Sequence, residues 1–299
     1  MLKWLYAISK RGVGTLANRR DDSPAQRKLP VSGILLESYR RLFGNFPVFL
    51  RLIWFPFSAV FTVRVLTNTS FGPFGPYELG PFEELFVGVV LLLCLTPSIT
   101  AWHRLTLLES NPENRHIRCS FDAAEYRYSR LLLIFAVIFF LVFAFVVAPI
   151  TGGVLLALGP PISVGNTTVP DSLFQSLYSF ILFWVLQPAA FLPLAGFLLV
   201  LPAAAIGRVL NFVDTLTYAK GNIGRLGSAL VAAFAPMVVL NVWFEELAKG
   251  WMDGNEIYAV VTGVVFQTSI AFLFGAILVG VLSLAYIALV EEWEYRKSD

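Results

Sequence analysis

Six long apolar runs constrain this chain more than any other feature. They lie at about 46–67, 84–106, 130–150, 173–206, 224–245 and 258–290, and each is nearly free of charge. A hydrocarbon layer about 30 Å thick takes roughly 20 apolar residues to cross as a helix, so each run is a candidate span. Composition agrees. Of the 299 residues 57% are hydrophobic and only 14% are charged, whereas a soluble domain carries about 25% charged residues. This balance excludes an ordinary water-soluble enzyme, and the 27 phenylalanines exclude a disordered chain.

The fourth run contains Pro188, Pro193 and Pro202 and is too long for one straight crossing. Proline removes a helix hydrogen bond, so the run reads as a kinked helix, with two shorter segments as the alternative. Lysine and arginine alternate between connections. Nineteen fall on one side, only Lys249 falls on the other, and Arg51 and Arg64 sit inside the first run. Basic connections stay in the cytoplasm, which predicts both termini inside. Residues 1–31 read as a basic cytoplasmic segment with a short surface helix on Leu2, Trp4, Leu5 and Ile8, residues 32–290 as the membrane domain, and 291–299 as a cytoplasmic tail.

The spans pair into a threefold pattern. Each odd-numbered span follows a short amphipathic stretch: Ser32–Phe43 with Leu35, Tyr39, Leu42 and Phe43 on one face; Ser120–Tyr128 with Phe121, Ala124 and Tyr128; and Arg208–Tyr218 with Val209, Phe212, Val213 and Leu216. Ser32 and Ser120 are the expected N-caps. Gly44-Asn45 and Gly221-Asn222 mark the turns into the bilayer, because both residue types tolerate the left-handed conformation. The even spans end alike, in PSITAWHRL from Pro97 to Leu105 and PAAAIGRVL from Pro202 to Leu210. The expected fold is an all-α integral membrane protein of six transmembrane helices in three hairpin-like repeats, with amphipathic cytoplasmic helices at the interface.

Ala101-Trp102-His103-Arg104-Leu105, the segment IRCSFDAAEYRYSRLL, LLESYRRLFGN near the start and TLTYAKGN later carry a family likeness. Together they resemble bacterial six-span proteins similar to the membrane domain beside some glycerophosphoryl diester phosphodiesterases. The catalytic barrel of those enzymes needs an acidic metal-binding cluster, which this sequence does not contain, so the resemblance implies the membrane fold, in a bacterial inner membrane, and not the activity.

Candidate residues fall into two groups. Arg40, Arg41, Trp102, His103, Arg104, Arg127 and Arg130 stand at the basic membrane boundary, where they would meet anionic headgroups or a partner. Trp102 and His103 read as interfacial anchors there. Arg51, Arg64, Gln187, Asn241 and Gln267 are the polar groups at membrane depth. Both arginines lie near a span end and can snorkel, with Glu83 or Glu84 as a partner for Arg64. No catalytic or metal constellation stands out: Cys94 and Cys119 read as free thiols, and His103 and His116 are the only imidazoles. No cofactor is expected. The leading expectation is a non-enzymatic membrane protein that works by association with lipid and with a protein partner or its own copies, as a scaffold, accessory subunit or membrane-organising factor. The alternative is a permease for a small neutral or lipid-like solute, its path beside Gln187. A third is an enzyme acting on lipid near His103.

Overall fold

The computed structural model describes residues 28–68, 81–108, 122–142, 194–249 and 256–291, with the single positions 145 and 149. Among the described residues every regular element is helical. α1 is Val31–Gly44, α2 Phe46–Asn68, α3 Pro81–Leu108 and α4 Ala123–Val142. A 3-10 turn at Phe197–Leu199 leads into the short α5, Val200–Ala205. α6, Phe212–Ala219, precedes the long α7, Ile223–Lys249, and α8, Glu256–Tyr286, which closes in a wider π turn, Ile287–Glu291.

Four segments are long and apolar enough to cross a membrane: Phe46–Leu66, Val87–Leu108, Ile223–Asn241 and Val261–Glu291, in α2, α3, α7 and α8. They match four of the six expected runs and identify an integral membrane protein by length and composition. The run at 130–150 corresponds to α4, described continuously as far as Val142, and the run at 173–206 is described only from Leu194. The bend expected at Pro188 and Pro193, and the surface helix near the N-terminus, lie outside the described residues, while Pro202 lies within α5.

α8 is the centre of the bundle. Its apolar window is 61% buried, against 11% for that of α2, and α1, α2, α3 and α7 all pack on it. Small residues permit the close approaches. A Cβ at Gly280 would collide with Ser38 of α1, whose hydroxyl donates to the Ile277 carbonyl at 2.8 Å. The Trp102 indole donates to the neighbouring Ala276 carbonyl at 2.9 Å. A second, smaller core joins α4 to α5 through Tyr128, Leu131, Phe135, Val200, Leu201 and Ala204.

A proline inside a span leaves a carbonyl without its helical donor, and at one of them a neighbouring hydroxyl replaces it. Pro56 of α2 cannot donate to Leu52. The Ser98 hydroxyl of α3 donates to that carbonyl instead, at 2.6 Å. In lipid, where no water is available to fill the vacancy, such a substitute is worth more than a surface contact.

The short helices differ from expectation in detail. α1 starts after Pro30 with no side-chain cap, so Ser32 does not cap it. Its buried face is Ile34, Ser38 and Leu42, turned by about one residue from the predicted one, and Phe43 is 64% exposed. Serine lies on that face because only a small side chain fits against Gly280. The second amphipathic stretch is not a separate helix: α4 begins at Ala123 and runs straight on. Its cap is Asp122, whose Oδ1 accepts the Ala124 and Glu125 N–H groups, each at 2.9 Å. The predicted face of α6 is also corrected, since Val209 and Val213 are both 73% exposed while Thr215 and Ala219 are buried. The backbone at Gly196 comes so close that a Cβ there would lie 3.2 Å from Leu216 and 3.3 Å from Ala219. Finally, only one Gly-Asn turn uses the left-handed region. Gly221 has φ +78°, whereas Gly44 does not adopt a positive φ; Asn45 caps α1 there by donating its backbone N–H to Arg41 at 3.0 Å.

Candidate functional site

The polar side chains gather where α3, α4, α5 and α8 meet, at the end of the bundle that carries the arginines. His103 is fully buried on α3. Its Nδ1 lies 2.7 Å from the Ser283 hydroxyl of α8, and its Nε2 lies 3.0 Å from the Tyr128 hydroxyl of α4. Ser283 already donates to the Val279 carbonyl at 2.9 Å. A hydroxyl has one proton, so Ser283 accepts from Nδ1–H, and Nε2 accepts from Tyr128. This arrangement, the one open to a neutral imidazole, ties three helices together.

Arg104, the next residue, turns the other way. Its Nε donates to the Ala205 carbonyl of α5 at 2.7 Å. Its two Nη groups reach Glu125 at 3.2 Å and Asp122 at 3.1 Å. These carboxylates form a reciprocal cap on α4, because Glu125 Oε2 also accepts the Asp122 N–H at 3.2 Å. Burial is the largest influence on Asp122 and acts to raise its pKa. The Glu125 N–H, the Arg104 charge and the Ala124 N–H outweigh it, leaving the pKa below the ordinary 3.8. Burial dominates at Glu125, which is fully enclosed, and holds its pKa above the ordinary value.

Three other arginines also donate to backbone carbonyls. Arg127 reaches Gly207 at 3.1 Å, just past α5. Arg41 reaches Thr106 in the last turn of α3, and Arg225 reaches Leu29 at 3.1 Å. Leu29 is held from both sides, since its N–H donates to Asn222 Oδ1 at 2.8 Å. The last carbonyls of a helix lack intrahelical donors and carry partial negative charge. Arginine suits these positions at Thr106, Ala205 and Gly207 on both counts.

The predicted boundary residues thus divide. Arg41, Arg104 and Arg127 hold protein carbonyls, while Arg40 and Arg130 are exposed. Trp102 and His103 are not interfacial anchors: both are buried, 4% and 0% exposed, with their nitrogens bonded inside the protein. Among the membrane-depth candidates, Arg51 and Arg64 are exposed on α2 and Gln267 is half-buried. Asn241 Nδ2 donates to Met237 of its own helix at 3.1 Å. Gln187, Glu83 and Glu84 lie outside the described residues or side chains. Among the described residues no group of His, Cys, Asp or Glu could hold a metal ion.

Sequence reasoning missed three residues that organise the cluster: Asp122, Glu125 and Ser283. Asp122 and Glu125 announce themselves as D-x-x-E ahead of an apolar run, which is a readable capping signal. Ser283 gives no signal, being one hydroxyl among apolar residues. No protein-family model, curated protein or solved structure matches the chain.

Proposed function

We propose that this is a six-span, all-α protein of a bacterial inner membrane, built from three weakly similar hairpins, with both termini in the cytoplasm. It works by association, as a scaffold, accessory subunit or membrane-organising factor, and not by catalysis. The observation that carries this reading is the contrast between the two parts of the surface. At the basic end Arg41, His103, Arg104 and Arg127 are engaged with backbone carbonyls and with neighbouring side chains, a use that stiffens a frame. The flank of α2 leaves large apolar residues uncovered, with Trp54 66% and Phe55 54% exposed. A stiff frame with an open apolar flank suits a protein that holds others in the bilayer, through packing of the kind that joins helices in lipid. The resemblance to six-span membrane domains found beside phosphodiesterases fits the same role.

The test is native mass spectrometry of the untagged protein extracted from its own membrane in mild detergent. The expected result is a defined larger assembly that dissociates in the Trp54→Ala, Phe55→Ala double variant while expression holds. A lone monomer carrying a bound small solute would overturn the reading in favour of the permease.

A further inference from the structure

We infer that the outward face of α1, formed by Leu36, Arg40 and Phe43, seats an anionic phospholipid from the leaflet at the basic end of the bundle. The inference rests on α2 and α8 being membrane spans and does not depend on the association reading.

Three observations converge on this face. The first is its composition and position on the helix. At about 100° per residue, Leu36, Arg40 and Phe43 fall within roughly 60° of one another, and Ile34, Ser38 and Leu42 point the opposite way. The latter three are buried. On the outward face Leu36 is 73% and Phe43 64% exposed, and the Arg40 side chain between them is 50% exposed. Two large apolar side chains flanking a cation match the acyl chains and phosphate of a lipid headgroup region.

The second observation is depth. Ser38 packs against Gly280 of α8, eleven residues before Glu291, hence about 16 Å along the helix from the end of the span. The span Val261–Glu291 has 31 residues, about 46 Å at the helical rise, against a hydrocarbon layer of about 30 Å. With the excess at the basic end, Gly280 falls at the boundary between hydrocarbon and headgroups, and α1 lies at that level.

The third is continuity. α1 is followed directly by α2 across Asn45, and exposed Leu50 and Trp54 take up the apolar surface within three turns of Phe43. Among the described residues Arg40 has one modest competitor, Glu37 Oε2 at 3.6 Å from its Nη1, an exposed pair of the kind that contributes little.

The experiment uses the full-length protein, purified in a neutral detergent and titrated with phosphatidylglycerol or phosphatidylcholine under native mass spectrometry. The wild type is expected to retain phosphatidylglycerol preferentially. Arg40→Gln should reduce that preference about fivefold, the contribution of one arginine near an anionic surface. Phe43→Ser should weaken retention of both lipids, and Glu37→Gln should strengthen that of phosphatidylglycerol. Leu36, Arg40 and Phe43 lie outside the core, so the Arg40 and Phe43 variants should keep the wild-type melting temperature. Wild-type retention in both variants overturns the inference. So does displacement of the lipid by glycerol phosphate alone, which would mark a site for free phosphate. A co-purified protein lost in Phe43→Ser without any lipid preference overturns it as well. The size of the larger assembly, read separately, bears on the association reading alone.

Discussion

α3 and α5 reach the same end of the bundle and touch there, and they end in opposite ways. α3 runs unbroken through Trp102, His103 and Arg104 to Leu108. α5 stops at Ala205, and Gly207 takes φ +81°. The Gly207 N–H then bonds Ala204 at 3.0 Å and the Arg208 N–H bonds Ala203 at 2.9 Å, which closes the helix in a Schellman turn. Stopping α5 leaves its terminal carbonyls open, and continuing α3 carries the Arg104 guanidinium up to meet one of them. Counted from Pro97 and Pro202, Trp102 stands where Gly207 stands, and Arg104 where Val209 stands. The segment that runs on supplies the donor, and the one that stops before Gly207 supplies the acceptor.

The largest effect should come from the donor side. Arg104→Ala removes the partner of a fully enclosed carboxylate, together with the cap on Ala205. Removing one member of a fully buried pair costs roughly 3–5 kcal/mol; Arg104 is 22% exposed, so a smaller but clear loss of melting temperature in detergent is expected. Adding Glu125→Gln should recover part of that loss, because the uncompensated charge is gone. A simple Arg104→Ala melt at the wild-type temperature would show that the clamp contributes nothing. On the acceptor side, Gly207→Ala meets no steric obstacle, since nothing lies within 4 Å of the added Cβ. Only the left-handed backbone opposes it, so a loss of about 1–2 kcal/mol is expected. An unchanged melt would mean that α5 can end without that conformation.

The same contrast explains what could be read beforehand. Four spans were legible to within a few residues, because hydropathy over twenty residues averages out local detail. The likeness of the even-span endings was legible too, yet it concealed their different geometry, since a window of small residues around proline does not register what a single Trp or Gly will do. The α1 face was misplaced by one residue because a hydrophobic count passes over Ser38, whose position depends on Gly280, 242 residues later in the chain. Arg41, Arg104 and Arg127 reach carbonyls at or just past the ends of α3 and α5. Whether each one faces lipid or a carbonyl depends on where other helices stop, and short-range pattern carries no record of that.

A smaller effect separates the two carboxylates that Arg104 holds. The folded-state pKa of Asp122 lies below 3.8, so its stabilisation is present above that value and is lost as pH falls through the folded pKa. Glu125 is shifted upward, so protonating it relieves a penalty, and stability rises as pH falls through its raised value. Melting temperatures measured between about pH 3 and pH 6 should show a shallower acid-side fall in Asp122→Asn, because asparagine still caps the helix and does not titrate. Glu125→Gln should remove the opposing rise. Parallel curves for wild type and both variants would show that neither carboxylate is coupled to folding.

The smallest expected effect is the sharpest check on the comparison. Val209 is the positional counterpart of Arg104, and it is 73% exposed beyond the turn that ends α5. Val209→Ser removes almost no buried surface, so the change should stay within about 0.5 kcal/mol, as for surface substitutions generally. Val209→Arg in the Arg104→Ala background should restore nothing, because the new guanidinium would start from the exposed side of the very helix end it would have to cap. Recovery of the melting temperature in that double variant would mean that the two endings are interchangeable, and that Gly207 does not decide which one supplies the donor.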